Sequence, residues 1–285
     1  MSDYPSLEAD SRVTQKNKCS FTVSLDQAFA VGTVPHGGYI SAMFLRAASI
    51  YLAPYEQSDT FAAHWHFLSA THIGPAVLVV EEVRRGRALS ILHSTLYQEG
   101  LLSESPWISD KSKKKVAAYV TNTLLNGEQG LGLPTGFELS ASPPLADLIK
   151  LATDEDPNWE RLPTHGCDHK QTPPETWDLQ LRMSNNERWT TWVLGYIADV
   201  APALIIEGYR PTDLDASLPE DRCQEGLPEE GEEWLRIRIS AKVIMNGRYD
   251  AEVVVFDRDG DVVALSNHVA LILDGKRNWG RKEKL

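Results

Sequence analysis

The sequence repeats itself. Gly38-Tyr39-Ile40 recurs as Gly195-Tyr196-Ile197, Gly86-Arg87 as Gly247-Arg248, and the Glu99-Gly100 turn as Asp259-Gly260. Each second copy follows its first by about 160 residues and in the same order, as expected of one supersecondary unit used twice. The unit is an apolar helix followed by three or four antiparallel strands. In the first copy the helix runs from Gly38 to Leu52, with apolar residues on every face and Arg46 as the only charge. A helix apolar all round is a buried helix, so the strands after it must wrap it. Two such units can join strand edges into one continuous sheet, removing an edge that a single unit leaves open.

Alternation of apolar and polar residues predicts strands at 19–25, 60–69, 76–84, 89–98 and 116–125 in the first unit. It predicts others at 234–243, 249–256 and 262–273 in the second, after a helix at 189–206. Residues 102–115 read as an exposed insertion ending in a lysine run. The stretch 126–182, rich in Gly, Pro, Asp and Glu, reads as a connection running over the surface, with one short helical piece at 144–152. The expected plan is a tail at 1–15, a first unit at 16–126, an irregular connection at 127–182, a second unit at 183–275 and a basic tail at 276–285.

The formal charge of −12 and the pI of about 5.1 argue against nucleic acid or an anionic membrane as the main partner. Three sparse cysteines, Cys19, Cys167 and Cys223, make no disulfide framework, so a reducing compartment is expected. The polar, acidic start MSDYPSLEADSR does not read as a signal peptide, and no apolar run approaches the roughly 18–20 residues of a membrane span. A cytoplasmic protein is the expectation. The ending Glu283-Lys284-Leu285 only faintly resembles a peroxisomal tripeptide, with the wrong residue at its first position. There is no P-loop, G-x-G-x-x-G, H-E-x-x-H or G-x-S-x-G.

Two features point to chemistry. Gly37 and Gly38 open the first helix, where free amides carry the positive end of the helix dipole and lack side chains that would keep a ligand oxygen away. Asp199 is the only charge between Leu194 and Ala201, a costly place for a carboxylate unless it is paired or used. Its counterpart in the first unit is about Ala42, so only one half carries the acid. Pro202 would disturb the helix just beyond it. His36 stands at the mouth of the turn. His64 and His66 alternate on one strand face, a spacing that could bind metal, but no third ligand accompanies them and no metal site is expected. The run His165-Gly166-Cys167-Asp168-His169 lies in an irregular loop and is expected to do nothing.

Several motifs, in order, resemble one family. They are Val34-Pro35-His36-Gly37-Gly38-Tyr39, Trp65-His66-Phe67-Leu68, Arg84–Gly86, Leu194-Gly195-Tyr196-Ile197-Ala198-Asp199 and Asp259-Gly260-Asp261-Val262-Val263-Ala264. Over residues 20–273 the chain is similar to the acyl-CoA thioesterase II-like family, especially its fungal thioesterase-like branch; the connection matches poorly. The resemblance implies an α+β double hot-dog, two buried helices wrapped by one continuous antiparallel sheet. It also implies hydrolysis of an acyl chain carried on CoA or a carrier protein, with no cofactor beyond the CoA of the substrate. Asp199 matches the family's catalytic acid, and His268 stands where the family usually has a glutamine that helps hold the attacking water. A family threonine on the next strand corresponds to Thr212 or Asp215.

On this reading the thioester carbonyl meets the Gly37 and Gly38 amides, and Asp199 activates water. The acyl chain lies between the helices against Tyr39, Met43, Tyr196 and Val200, with His36, His64 and His66 lining the approach. Lysines 111–115 and Arg84, Arg85 and Arg87 are candidates for a CoA phosphate. The rival readings are another acyl reaction on the same fold, such as dehydration or cyclisation, and a non-catalytic acyl-binding protein. Self-association into a homo-oligomer is left open.

Overall fold

The computed structural model describes residues 5–127, 146–153, 155–157, 159–161, 167–171, 176–183, 185, 187–200, 231–245 and 248–271. In the first half, strand β1 (Ser20–Leu25) turns Phe21, Val23 and Leu25 inward. Helix α1 (Gly37–Leu52) follows, with twelve of its sixteen residues buried. It stops where Pro54 offers no amide hydrogen to continue the ladder, and Glu56 turns the chain at a φ of 57°. Then come β2 (Asp59–Phe67), β3 (Gly74–Arg85), β4 (Ser90–Gln98) and β5 (Lys113–Thr123). The antiparallel order is β1-β3-β4-β5-β2, with the short piece Thr14–Gln15 outside β1. Its register lines up Phe21, Leu78, Leu96, Val116 and Phe67 in one row against the helix, the first four of them buried. Burying each large apolar side chain of such a row stabilises the fold by about 1.5–3 kcal/mol.

The second half repeats this plan with β6 (Cys167–Gln171), β7 (Thr176–Leu181), α2 (Leu194–Val200), β8 (Leu235–Ser240), β9 (Arg248–Phe256) and β10 (Val262–Leu271). The order is β6-β7-β8-β9, with β10 on the far side of β9. A turn of 3-10 helix at Thr191–Val193 leads into α2. The expected helix thus begins nearer Thr191 than Trp189, and its last stretch, 201–206, lies outside the described residues.

Two expectations change. The connection is not irregular throughout. β7 pairs along the whole of β8, and Leu179 and Leu181 are buried in the main core. β7 precedes α2 as β1 precedes α1, so the second unit begins before residue 183. The described strands pair into one large sheet in each half and a two-stranded one, Ala30–Val31 with Val34–Pro35; residues 201–230, between α2 and β8, lie outside the described residues. Secondly, the lysine run is no exposed loop: Lys113–Lys115 open β5, and Lys115 is buried against Glu99. Lys113 and Lys115 together hold the Glu99 carboxyl down to about 2. Those two lysines are therefore committed within the hairpin, and Arg85 is paired with Glu82.

The two helices touch directly. A Cβ on Gly38 would lie 2.8 Å from the Cα of Tyr196, and one on Gly195 would lie 3.0 Å from the Cβ of Ser41. Each repeated glycine is the point where the other helix presses closest, so both must lack a side chain. That contact leaves no slot between the helices at their crossing for an acyl chain. Tyr39 and Met43 are fully buried in the core, and the Tyr39 hydroxyl is occupied by the Asp10 carbonyl. They do not line a site. No helix among the described residues is long and apolar enough to cross a membrane.

Candidate active site

The crossing of the helices brings Asp199 of α2 to the N-terminus of α1. Its Oδ2 accepts the Gly38 N–H at 2.7 Å, a short charge-assisted bond at the positive end of a helix dipole. The same N–H points to Nδ1 of His36, the cap residue, at 3.2 Å. His36 Nδ1 is 3.7 Å from Asp199 Oδ2, and its ring packs on Tyr196 with centroids 5.4 Å apart. The carboxylate keeps 32% of its side-chain surface exposed.

The other Asp199 oxygen faces β10. The inward positions of this strand are Ala264, Ser266, His268 and Ala270, and His268 stands opposite Ala251 of β9. His268 Nδ1 lies 3.8 Å from Asp199 Oδ1. Its Nε2 is 2.8 Å from the Ala198 carbonyl oxygen and 3.0 Å from Ser266 Oγ. Tyr249 of β9 lies near enough to feel the Asp199 charge; burial first, then that charge, raises its phenol above the ordinary range.

Gly37 and Phe67 close the near side. A Cβ at Gly37 would fall 2.7 Å from Asp199 Oδ2 and 3.2 Å from the ring of Phe67. The structure therefore brings Asp199, Gly37, Gly38, His36 and His268 together. The Gly38 amide has a different occupant from the one expected: it holds the carboxylate and not a substrate oxygen. Tyr196 and Val200 are buried beneath the site. His64 and His66 lie elsewhere. They sit on the exposed outer face of β2, Nε2 to Nε2 at 3.2 Å, while Ala63 and Trp65 between and beside them pack on the core. No group of three metal-ligating side chains occurs among the described residues. Thr212, Asp215, Pro202 and His165-Gly166 lie outside the described residues.

A profile described as the acyl-CoA thioesterase N-terminal domain matches residues 25–123, and one for the C-terminal domain matches residues 132–272. The thioesterase-like protein TwmA of Talaromyces wortmannii is 35% identical over 94% of this chain and 92% of its own. The chain belongs to the acyl-CoA thioesterase family. Solved structures agree on the fold. A hot dog fold protein of unknown function from Alicyclobacillus acidocaldarius superposes with a TM-score of 0.66 at 15% identity, covering 92% of this chain and 96% of that one. The tesB protein of Mycobacterium avium subspecies paratuberculosis gives 0.63 at 19% identity, covering 92% and 96%. The family is one of hydrolases, and the α+β double hot-dog stands. The C-terminal match beginning at residue 132 also agrees with a second unit that starts well before residue 183.

Sequence reasoning missed Phe67, Ser266, Tyr249 and the Ala198 carbonyl. Phe67 carried a faint signal, as the last aromatic of a Trp-His-Phe strand end. Ser266 and Tyr249 come to the site through strand register, and the Ala198 carbonyl, although next to Asp199 in the chain, enters only through its contact with His268 of a distant strand, which local pattern does not encode.

Proposed function

We propose that this member of the family hydrolyses an acyl thioester, on CoA or on a carrier, with Asp199 as general base. The observation that carries the reading is the pinning of Asp199. One oxygen is fixed by the Gly38 N–H at 2.7 Å and the other faces His268 Nδ1 at 3.8 Å, on a side chain that keeps 32% of its surface exposed. A base held at one oxygen presents the other in a fixed direction, the positioning that general base catalysis needs. Water oxygen attacks the thioester carbonyl carbon as Asp199 takes its proton. The tetrahedral intermediate collapses, the C–S bond breaks, and the thiolate leaves to be reprotonated, giving a carboxylic acid and a free thiol. With Gly38 committed to the carboxylate, the Gly37 amide in the same first turn is the donor suited to the developing oxyanion.

The test is Asp199→Asn, followed by thiol release from a panel of acyl-CoAs. Asn still accepts the Gly38 N–H, so the thermal midpoint should stay near wild type. The rate should fall by at least about 10²-fold. An unchanged rate would remove Asp199 from the chemistry.

A further inference from the structure

His268 has more to say than its nearness to Asp199. A carbonyl oxygen only accepts hydrogen bonds, so the 2.8 Å contact between His268 Nε2 and the Ala198 oxygen requires the hydrogen on Nε2. In the neutral ring Nδ1 is then a bare lone pair. It faces Asp199 Oδ1 at 3.8 Å, too far for a direct hydrogen bond and with two acceptors looking at each other. A single water beside that gap, donating one hydrogen to each, satisfies both. Such a water has spent both hydrogens, so its lone pairs point outward.

We propose that His268 is held as the Nε2–H tautomer, so that Nδ1 is the acceptor residue 268 offers the attacking water beside Asp199 Oδ1, and that protonation of His268 shuts the site. The inference rests on the hydrolase reading above and adds its proton gate. Histidinium carries a hydrogen on Nδ1, which it donates to Asp199 Oδ1. The ion pair closes the gap, consumes the base and leaves the water no acceptor. Hydrolysis should therefore rise as pH is raised and His268 loses its proton. A glutamine at 268 offers an acceptor oxygen that does not titrate.

Among the described residues the ionisable groups around His268 are few. Asp199 comes from α2, Tyr249 from β9 and His36 from the start of α1. Asp199 pairs with no lysine or arginine among the described residues, only with the two histidines. Tyr249 is raised by burial and by Asp199, away from the neutral range. His36 is the other group able to give a limb there. Its Nδ1 accepts the Gly38 N–H when neutral, and it must be separated by mutation.

The experiment is kcat/KM against pH from 5 to 9 with an acyl-CoA, for wild type, H268Q and H36Q, together with 15N NMR of the histidine rings. The proposal expects an acid limb in wild type and H36Q that is missing from H268Q, whatever plateau each variant reaches. It expects the Nε2–H tautomer for His268 at pH 8. It also expects the 15N shifts of the charged His268 ring to change in D199N, where the Nδ1–H has lost its carboxylate partner. A limb that survives in H268Q, or an Nδ1–H tautomer, overturns it. Hydrolysis that persists in D199N removes Asp199 as the base, and no thiol release from any acyl-CoA by the wild type rejects the hydrolase reading itself. The NMR arm needs no turnover and still decides the tautomer and the pairing.

Discussion

Gly37 has no room for a side chain because a carboxylate is there first. The 2.7 Å between its would-be Cβ and Asp199 Oδ2, against 3.2 Å to the Phe67 ring, makes the carboxylate the group that must give way. Gly37→Ala should therefore turn Asp199 off its water and lower hydrolysis by about 10²-fold, as a 1 Å misplacement can. The thermal midpoint should barely move, since alanine is a good residue in a first helical turn. Steady-state rates and a melting curve on that one variant check both halves of the statement. Asp199 and the two glycines were legible in the sequence, one as a lone charge in an apolar run, the others as a break before a buried helix. Which amide Asp199 would occupy was not. That follows from how closely α1 and α2 cross, and the crossing is set by Gly38 and Gly195 together, in different halves. The placing of His64 and His66 failed for a plainer reason. Alternation assigns two faces to β2 but does not say which one looks inward, and Trp65 won the inner face.

Strand β7 shows where reading by pattern stops. Its sequence, Thr-Trp-Asp-Leu-Gln-Leu, carries an acid and an amide and sits in a polar neighbourhood, so it reads as surface connection. In the fold Asp178 is wholly buried and takes a two-pronged grip from Arg238 of β8, at 2.8 and 2.7 Å. A pair this deep is satisfied only when both members are present, and neither announces its partner in the chain. Arg238→Met should leave the Asp178 charge stranded and cost about 3–5 kcal/mol in urea unfolding. Changing both, D178L with R238M, should recover most of that loss; a double variant as unstable as the single one would show that the pair matters for more than its charge. By contrast the strands around α1, and β8 to β10, were legible almost to their ends, because an inward row such as Phe21, Leu78, Leu96 and Val116 forces strict alternation on each strand that contributes to it.

The two halves are alike in backbone and unlike at the ends of their helices. At Gly38 the partner helix presents Asp199; at Gly195 it presents Ser41 and Ala42, and Ala42 is buried. A non-hydrolysable acyl thioester analogue should accordingly saturate at one molecule per chain in a calorimetric titration, and two per chain would contradict the single centre. The repeat made this asymmetry legible, since the counterpart of Asp199 is an alanine. The part left unread was how the halves share the work: the amide comes from residue 38 and the carboxylate from residue 199, so neither half owns the centre. Joining them in one polypeptide behaves as a concentration. Each helix meets the other as though its partner were present at about millimolar, however dilute the protein. Activity per molecule should then hold constant on dilution, where a centre assembled from two free halves would fade as they drift apart.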